Sequence, residues 1–344
     1  MILFLCLAAG LWALGHLTGA PRSARWIMIG LLYVAVLAVT VVFPPSHPLA
    51  AVIGGTTGEW LVIGALIGAV WGYFAGLKRL RQQVRPENRA PDAAPADSEA
   101  ALERVARHIV LREIGGPGQK RLRDARVLVI GAGGLGSPAL QYLAAAGVGT
   151  IGVIDDDVVS NSNLQRQVIH TDARIGMPKV FSAQAAMTAQ NPWITVRPYK
   201  RRLIADIADE LFADYDLILD GVDDDASRYV TNAAAVRTGR TLISAALSQW
   251  EGQISVFAPH KGTPCYACVF PKPNAPGLAP SCAEGGVLGP LPGVVGAIMA
   301  VEAIKELTGA GETLRGRMLV YDALYGETRT IALKRQPDCP VCGD

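Results

Sequence analysis

Charge is scarce in the first part of this chain. Residues 1–77 carry three charged side chains, Arg22, Arg25 and Glu59, although the 344-residue whole holds 32 basic and 30 acidic ones. The rest of the chain is therefore ordinary in charge, and the positive mean hydropathy of +0.27 comes from its beginning. An excess of either sign is also missing. A net charge of +2 excludes a nucleic-acid-coating protein, which needs a large basic surplus. It equally excludes an acidic disordered chain. No G-x-x-x-x-G-K-[ST] occurs, so P-loop transfer of a γ-phosphate is ruled out.

Three apolar runs fill the charge-poor part: Met1–Leu17, Trp26–Phe43 and Trp60–Leu77. The last two are 18 residues each without a charge, about the length of a transmembrane helix. Met1–Leu17 lacks the positive start and the A-x-A-like site of a secretory signal. It reads as a first span, with a cleaved or interfacial start as the alternative. Arg22 and Arg25 lie between the first two runs, the loop Pro44–Glu59 has no Lys or Arg, and Lys78, Arg79, Arg81, Arg85 and Arg89 follow the third. The positive-inside rule then puts the N-terminus outside and everything after Leu77 in the cytoplasm. No run contains an ionisable Asp, Glu, Lys or Arg, so an anchor is expected rather than a transport path. The expected organisation is a multi-pass anchor of three spans over 1–80 in a bacterial-type inner membrane. A polar linker follows over 81–101, then a cytoplasmic domain over 102–344.

That domain opens with helical periodicity at Leu102–Leu111 and a break at Gly115–Gly118. A short apolar run, Arg126–Ile130, predicts a strand leading into Gly131-Ala-Gly133-Gly134-Leu-Gly136. A helix is expected over Pro138–Ala146, and a strand over Thr150–Ile154 that ends in Asp155, Asp156 and Asp157. Strand, G-x-G-x-x-G, helix, strand and an acidic residue about 20 positions on make a nucleotide-binding fingerprint. Its glycines let backbone approach a phosphate at a helix N-terminus, and Asp155 can accept from ribose hydroxyls. Further strands are expected at Leu217–Gly221, Thr241–Ala245 and Gln253–Ala258, giving an α/β, Rossmann-like, largely parallel sheet with flanking helices. Dehydrogenases share this fingerprint, but nothing here supplies a hydride-transfer acid/base pair. Instead Ser162-Asn163-Leu164-Gln165-Arg166, Lys179 and Asp220–Asp224 follow. Two cations and a carboxylate near a nucleotide suit phosphate clamping and magnesium ligation. Taken singly, Arg166 and Lys179 read equally well as solvated surface charges.

From about Arg104 to the C-terminus the chain resembles the MoeB/ThiF/HesA family, bacterial relatives of ubiquitin-activating enzymes. The resemblance rests on Gly131–Gly136, Asp155–Asp157, Ser162–Arg166, Gly176–Lys179, Asp220–Asp224, Glu251–Phe257, Cys265–Cys268, Ser281–Pro290 and Cys339–Cys342. The run Glu284–Lys305 is most similar to the molybdopterin-synthase adenylyltransferase branch. The resemblance implies an enzyme that uses ATP and Mg²⁺ to adenylate the C-terminal glycine of a ubiquitin-like sulfur carrier with a Gly-Gly tail. A MoaD-like carrier for molybdenum cofactor is the first choice, a ThiS-like carrier for thiamine the second. A non-catalytic membrane adaptor for ubiquitin-like proteins is the third. By the same resemblance Gly134 faces the phosphates, Asp155 the ribose, and Asn163, Arg166 and Lys179 the triphosphate. Asp223 would hold magnesium. Arg107 would reach the ATP of a partner subunit, so a homodimer is implied. Val105 and His108 depart from the family's Tyr and Gln. Asp224 stands where an Asn is usual, adding a negative charge beside ATP. No rhodanese-like domain follows, which implies a separate sulfur donor.

Two C-x₂-C pairs, Cys265/Cys268 and Cys339/Cys342, have the pattern of a Cys₄ structural zinc, with two disulfides as the alternative. The deduced cytoplasmic placement disfavours disulfides. Cys6 reads as a small apolar residue of the first run. Cys282 lies in the glycine-rich stretch Ser281–Gly289, where the family places a cysteine that in some members bonds covalently to the carrier.

Overall fold

A computed structural model describes residues 2–18, 22–44, 46–84, 98–272 and 285–343. The chain divides into two compact units, Met1–Arg89 and Ala90–Asp344.

The first unit is helical: α1 (Ile2–Leu17), α2 (Arg22–Val42), α3 (Pro48–Ile53) and α4 (Thr57–Val84). Local chemistry sets where the later helices begin. His47 caps α3 by accepting from the Leu49 N–H, ahead of Pro48 at a position that needs no donor. A capping box starts α4: Thr56 Oγ1 accepts from the Glu59 N–H at 3.3 Å, and the Glu59 carboxylate accepts from the Thr56 N–H at 2.7 Å. Tyr33 and Trp60 tie α2 to α4, Tyr33 donating to the Trp60 carbonyl at 2.5 Å. Three spans are expected from the sequence. Among the described residues one helical stretch, Ala24–Val42, is long and apolar enough to cross a membrane by length and composition, and Cys6–His16 is apolar but shorter. α4 runs on past the apolar run through Lys78, Arg79 and Arg81. Residues 85–97, most of the expected linker, lie outside the described residues.

The second unit begins with α5 (Glu99–Ile109), capped by the Ser98 hydroxyl, and α6 (Gly115–Asp124). Then come β1 (Arg126–Ile130), α7 (Gly136–Ala145), β2 (Thr150–Ile154), α8 (Lys179–Gln190), β3 (Thr195–Tyr199), α9 (Ala205–Ala213), β4 (Leu217–Asp220) and α10 (Asp225–Arg237). They are followed by β5 (Thr241–Leu247), β6 (Glu251–Phe257), α11 (Tyr266–Val269), α12 (Pro290–Thr308), β7 (Arg317–Asp322) and β8 (Glu327–Ala332). One eight-stranded sheet has the order β3-β2-β1-β4-β5-β6-β7-β8. Pairings among the first five of these are parallel, and those of β5–β6, β6–β7 and β7–β8 are antiparallel. The class is α/β, with the antiparallel extension an addition to the expected sheet.

Strands β1, β2 and β4 are apolar on consecutive residues because helices cover both faces. On one side α7, α8 and α12 pack Leu140, Leu143, Met187 and Met299 against Val127 and Val129. On the other, Phe212, Tyr215 and Ala234 pack against Leu128 and Ile218. The order reverses between β1 and β4: β2 and β3 lie on one side of β1, while β4 and β5 lie on the other. Such a switch point leaves a crevice at the strands' C-terminal ends, where ligands of open α/β sheets bind.

Candidate active site

The loop 131–135 fills that crevice between β1 and α7. Gly131 has a φ of +90°, which a side chain rarely adopts. At Gly136 a Cβ would sit 1.9 Å from the Gly131 carbonyl, so only glycine lets α7 start this close to the strand. Ala132, between them, is held from two directions. Its N–H donates to Asp155 Oδ2 at 2.8 Å, and its carbonyl lies 2.9 Å from His170 Nε2. The carbonyl can only accept, so Nε2 carries the proton and Nδ1 accepts from the Ser182 hydroxyl at 2.9 Å. Burial holds the His170 pKa below its ordinary value, which keeps the ring neutral as this network requires.

A cleft of about 690 Å³ opens beside the loop. Of the sequence-predicted residues, Gly131, Gly133, Gly134, Asp155, Asp157, Arg166, Lys179, Asp223 and Asp224 line it. Asp155 also accepts from the Asp157 N–H at 2.8 Å; burial raises its pKa, with Lys179 opposing. Lys179 is the first residue of α8 and is almost fully buried. Its ammonium stands 2.7 Å from Asp157 Oδ2, so a cation sits on the cleft wall already paired. The Arg166 guanidinium is aimed by the Ser162 carbonyl at 3.2 Å and by Asn163 Oδ1 at 3.1 Å. Ser162, Asn163, Leu164 and Gln165 thus form the short turn behind Arg166 rather than the cleft lining. Gln165 packs against Gly289, where a Cβ would meet its Oε1 at 2.6 Å. Gly136 likewise lies beneath the loop.

Asp223 is exposed at the mouth, with no hydrogen-bonding or ionic partner among the described residues. Its neighbour Asp224 is engaged: Oδ1 caps α10 by accepting from the Ser227 N–H at 2.9 Å and pairs with Arg202 at 3.0 Å. Burial pushes the Asp224 pKa up, but the Ser227 and Arg202 contacts outweigh it and hold it low. Arg107 is exposed on α5 and does not line the cleft. A smaller hollow of about 290 Å³, bordered by Leu102, Val105 and Trp193, holds none of the expected nucleotide ligands. Cys282 lies outside the described residues.

Sequence reasoning missed the residues that shape the 220–224 loop. Arg228 is buried on α10 and pairs with Asp220 at 3.2 Å. It also donates to Ser244 Oγ, the Ala245 carbonyl and the Val222 carbonyl at 2.8, 2.9 and 2.6 Å. Ser244 Oγ in turn donates to Asp220 at 2.8 Å. A buried ion pair persists only with its remaining valences satisfied, and here they are satisfied by β5 together with Val222 of the loop that presents Asp223. The available signal was an arginine on the inner face of a helix, four residues after the loop's last aspartate. Arg202 and His170 carried no such signal.

Cys265, Cys268, Cys339 and Cys342 form a buried cluster, all four sulfurs lying within 4.8 Å of one another. The measured separations are 3.9 Å for Cys265–Cys268, 3.7 Å for Cys265–Cys339 and 3.4 Å for Cys268–Cys342. A tetrahedral zinc with bonds of about 2.3 Å spaces its sulfurs by about 3.8 Å, so the donor set fits that ion. Outer contacts are in place: the Gln336 N–H donates to Cys268 and Asn232 Nδ2 to Cys265. Burial of Cys339 is outweighed by the N–H groups of Val341 and Cys342, which bring its pKa to about 7.

A family model described as the ThiF family matches residues 105–341. A "Sulfur carrier protein adenylyltransferase" of Thermus thermophilus is 49% identical over 249 residues, 71% of this chain and 91% of that protein. A "Probable adenylyltransferase/sulfurtransferase MoeZ" of Mycobacterium tuberculosis is 52% identical over 252 residues, 72% of this chain but only 64% of that longer protein. In fold, the chain is similar to the crystal structure of E. coli MccB with ATP, at a TM-score of 0.59 and 22% identity over 66% of this chain and 70% of that one. On the sequence match and the shared motifs together, this chain belongs to the ThiF family.

Proposed function

We propose that this chain is an ATP-dependent adenylyltransferase that activates the C-terminal glycine of a ubiquitin-like sulfur carrier ending in Gly-Gly. The observation that carries the reading is the convergence of the 131–136 loop, Arg166, Lys179 and an unengaged Asp223 on one cleft at the sheet's switch point. The relatives' names support the same chemistry. In this reading the carrier's terminal carboxylate oxygen attacks the α-phosphorus of ATP. The bond from that phosphorus to the bridging oxygen breaks, and pyrophosphate leaves with its electron pair. Arg166 and Lys179 stabilise the charge that builds on the phosphate oxygens, a positioning and electrostatic task that needs no protein nucleophile. Asp155 orients the ribose with the lone pairs its backbone donors leave free. Asp223 would anchor Mg²⁺, which neutralises phosphate charge when bound.

A MoaD-like carrier of molybdenum cofactor synthesis is the proposed substrate, by likeness to that branch. Zinc at the four cysteines would pin the C-terminal tail beside α10 and would be structural, since four thiolates leave no open position. Further proposals are a homodimer with Arg107 acting across the interface, Cys282 in a later covalent step, and a separate sulfur donor. The apolar first unit would anchor the enzyme in a bacterial inner membrane with its second unit cytoplasmic. ATP–pyrophosphate exchange with purified MoaD- and ThiS-like carriers tests the activity and the pathway together. Exchange with the MoaD-like carrier is expected; exchange with neither would leave the reading without a reaction. Reporters at His47 and after Leu80 should read outside and inside.

A further inference from the structure

The cleft carries an electrostatic difficulty that its geometry resolves. Asp155, Asp156, Asp157, Asp223 and Asp224 all line it, yet the proposed ligand is a polyanion. Two of these charges are visibly committed: Asp157 to Lys179 at 2.7 Å, and Asp155 to two backbone N–H groups. Asp224 stands directly beside the unengaged Asp223. Arg202, from the segment between β3 and α9, reaches across to it, Nη2 lying 3.0 Å from Asp224 Oδ1 and 3.4 Å from Ser227 Oγ. Arg202 itself lines the cleft. The carboxylate it meets is the same oxygen that caps α10, so the contact fixes the start of the helix and cancels a charge at once.

We propose that Arg202 is a positioning residue of the nucleotide site: held against Asp224, it neutralises that carboxylate, so that Asp223 meets a metal–triphosphate complex without a second bare charge beside it. The proposal deepens the adenylation reading and rests on it. Its discriminating feature is that aspartate and asparagine cap helices about equally well. Asp224→Asn therefore removes the charge while keeping the cap, and with it the reason for Arg202.

The test is calorimetric titration of the full-length, detergent-solubilised protein with ATP and Mg²⁺, without carrier, so that binding is read apart from turnover. Arg202→Gln should weaken binding about five- to tenfold, the effect of one uncompensated charge near a polyanion at a partly exposed site. The deficit should narrow as salt rises, because both side chains are more than a third exposed, 57% and 39%. Asp224→Asn should bind about two- to threefold tighter than wild type. Arg202→Gln combined with Asp224→Asn, which removes both charges of the pair together, should recover to within about twofold of wild type. Arg202→Lys, which keeps the charge, should retain most of the affinity and guards against a folding defect in the Gln variant. A double variant as weak as Arg202→Gln alone would mean that Arg202 touches the nucleotide itself, and the proposal falls. It falls equally if Arg202→Gln binds like wild type. Wild-type protein that binds no ATP removes the adenylation reading, and this inference with it.

Discussion

The two units of this protein place the same kinds of side chain on opposite sides. In the first, Trp26, Ile27, Leu31, Val34, Val41, Ile67, Val70 and Trp71 are exposed, and among the described apolar residues only Val36, Ala50 and Trp60 are buried. In the second, the apolar side chains on both faces of β1 and β4 are buried to near completion, and the charged pair taken deepest inside, Arg228 and Asp220, goes there with partners that include Ser244. Burial of apolar area drives folding only where water is the alternative. A unit that leaves so much apolar surface outside needs another apolar medium or a partner to cover it. The comparison teaches that hydrophobicity alone does not define a core; the surroundings decide which face of a helix is the inside.

Variants can break or sharpen this contrast. The largest effect is expected for Asp223→Ala, which should abolish carrier-dependent pyrophosphate exchange while leaving membrane fractionation unchanged. A variant that retains exchange would remove Asp223 from the site. Cys339→Ser should abolish the proposed zinc binding and lower the stability of the second unit by several kcal/mol, because zinc binding to such a site is folding free energy. Metal analysis alongside chemical denaturation checks this, and a full metal complement in the variant would refute it. Arg166→Ala and Lys179→Ala should each slow exchange about 10²–10³-fold, the usual loss for one preorganised charge-stabilising donor.

Exposure means different things in the two units, and a matched pair of substitutions measures the difference. Val34→Asp, near the middle of Ala24–Val42, should oppose membrane insertion by about 2.5–3.5 kcal/mol. Tyr325→Asp, at the exposed turn before β8, should change stability by less than about 0.5 kcal/mol. Equal effects in alkaline extraction and thermal unfolding would erase the proposed distinction. The smallest effect concerns His170. Burial depresses its pKa from 6.5, so its contribution to stability is present above that value and is lost as pH falls through and below it. Thermal midpoints should therefore drop between pH 7 and pH 5, and His170→Asn should flatten part of that slope.

Much of the nucleotide half of the site was legible. The strands expected at 126–130 and 150–154 occupy those same residues, and the glycines between them meet the backbone demands of a strand-to-helix turn. Both signals are local: a short apolar run, then residues that alone tolerate a positive φ or a backbone contact. The two C-x₂-C pairs were legible for a similar reason, since each spacing brings two sulfurs together within one turn. The antiparallel strands β7 and β8 were not. Their residues are largely exposed or half-buried, so no buried face imposes a readable alternation.

What the sequence by itself determined is the chemistry available in each segment: an apolar, nearly uncharged beginning, a glycine-rich loop between strand and helix, a set of aspartates, two cations and four thiols. Which of those groups stay free was decided only by the tertiary structure. Asp223 and Asp224 are adjacent and chemically identical, yet one is open to the cleft and the other is spent on Arg202 and the cap of α10. Arg228 is committed to Asp220 and to carbonyls of β5 and the loop, while Arg166 is left facing the cleft. The reason is range. Backbone propensity and chain chirality act over a few residues, but a charge is neutralised by whatever the fold brings within about 4 Å, and those neighbours come from strands and helices far away along the chain.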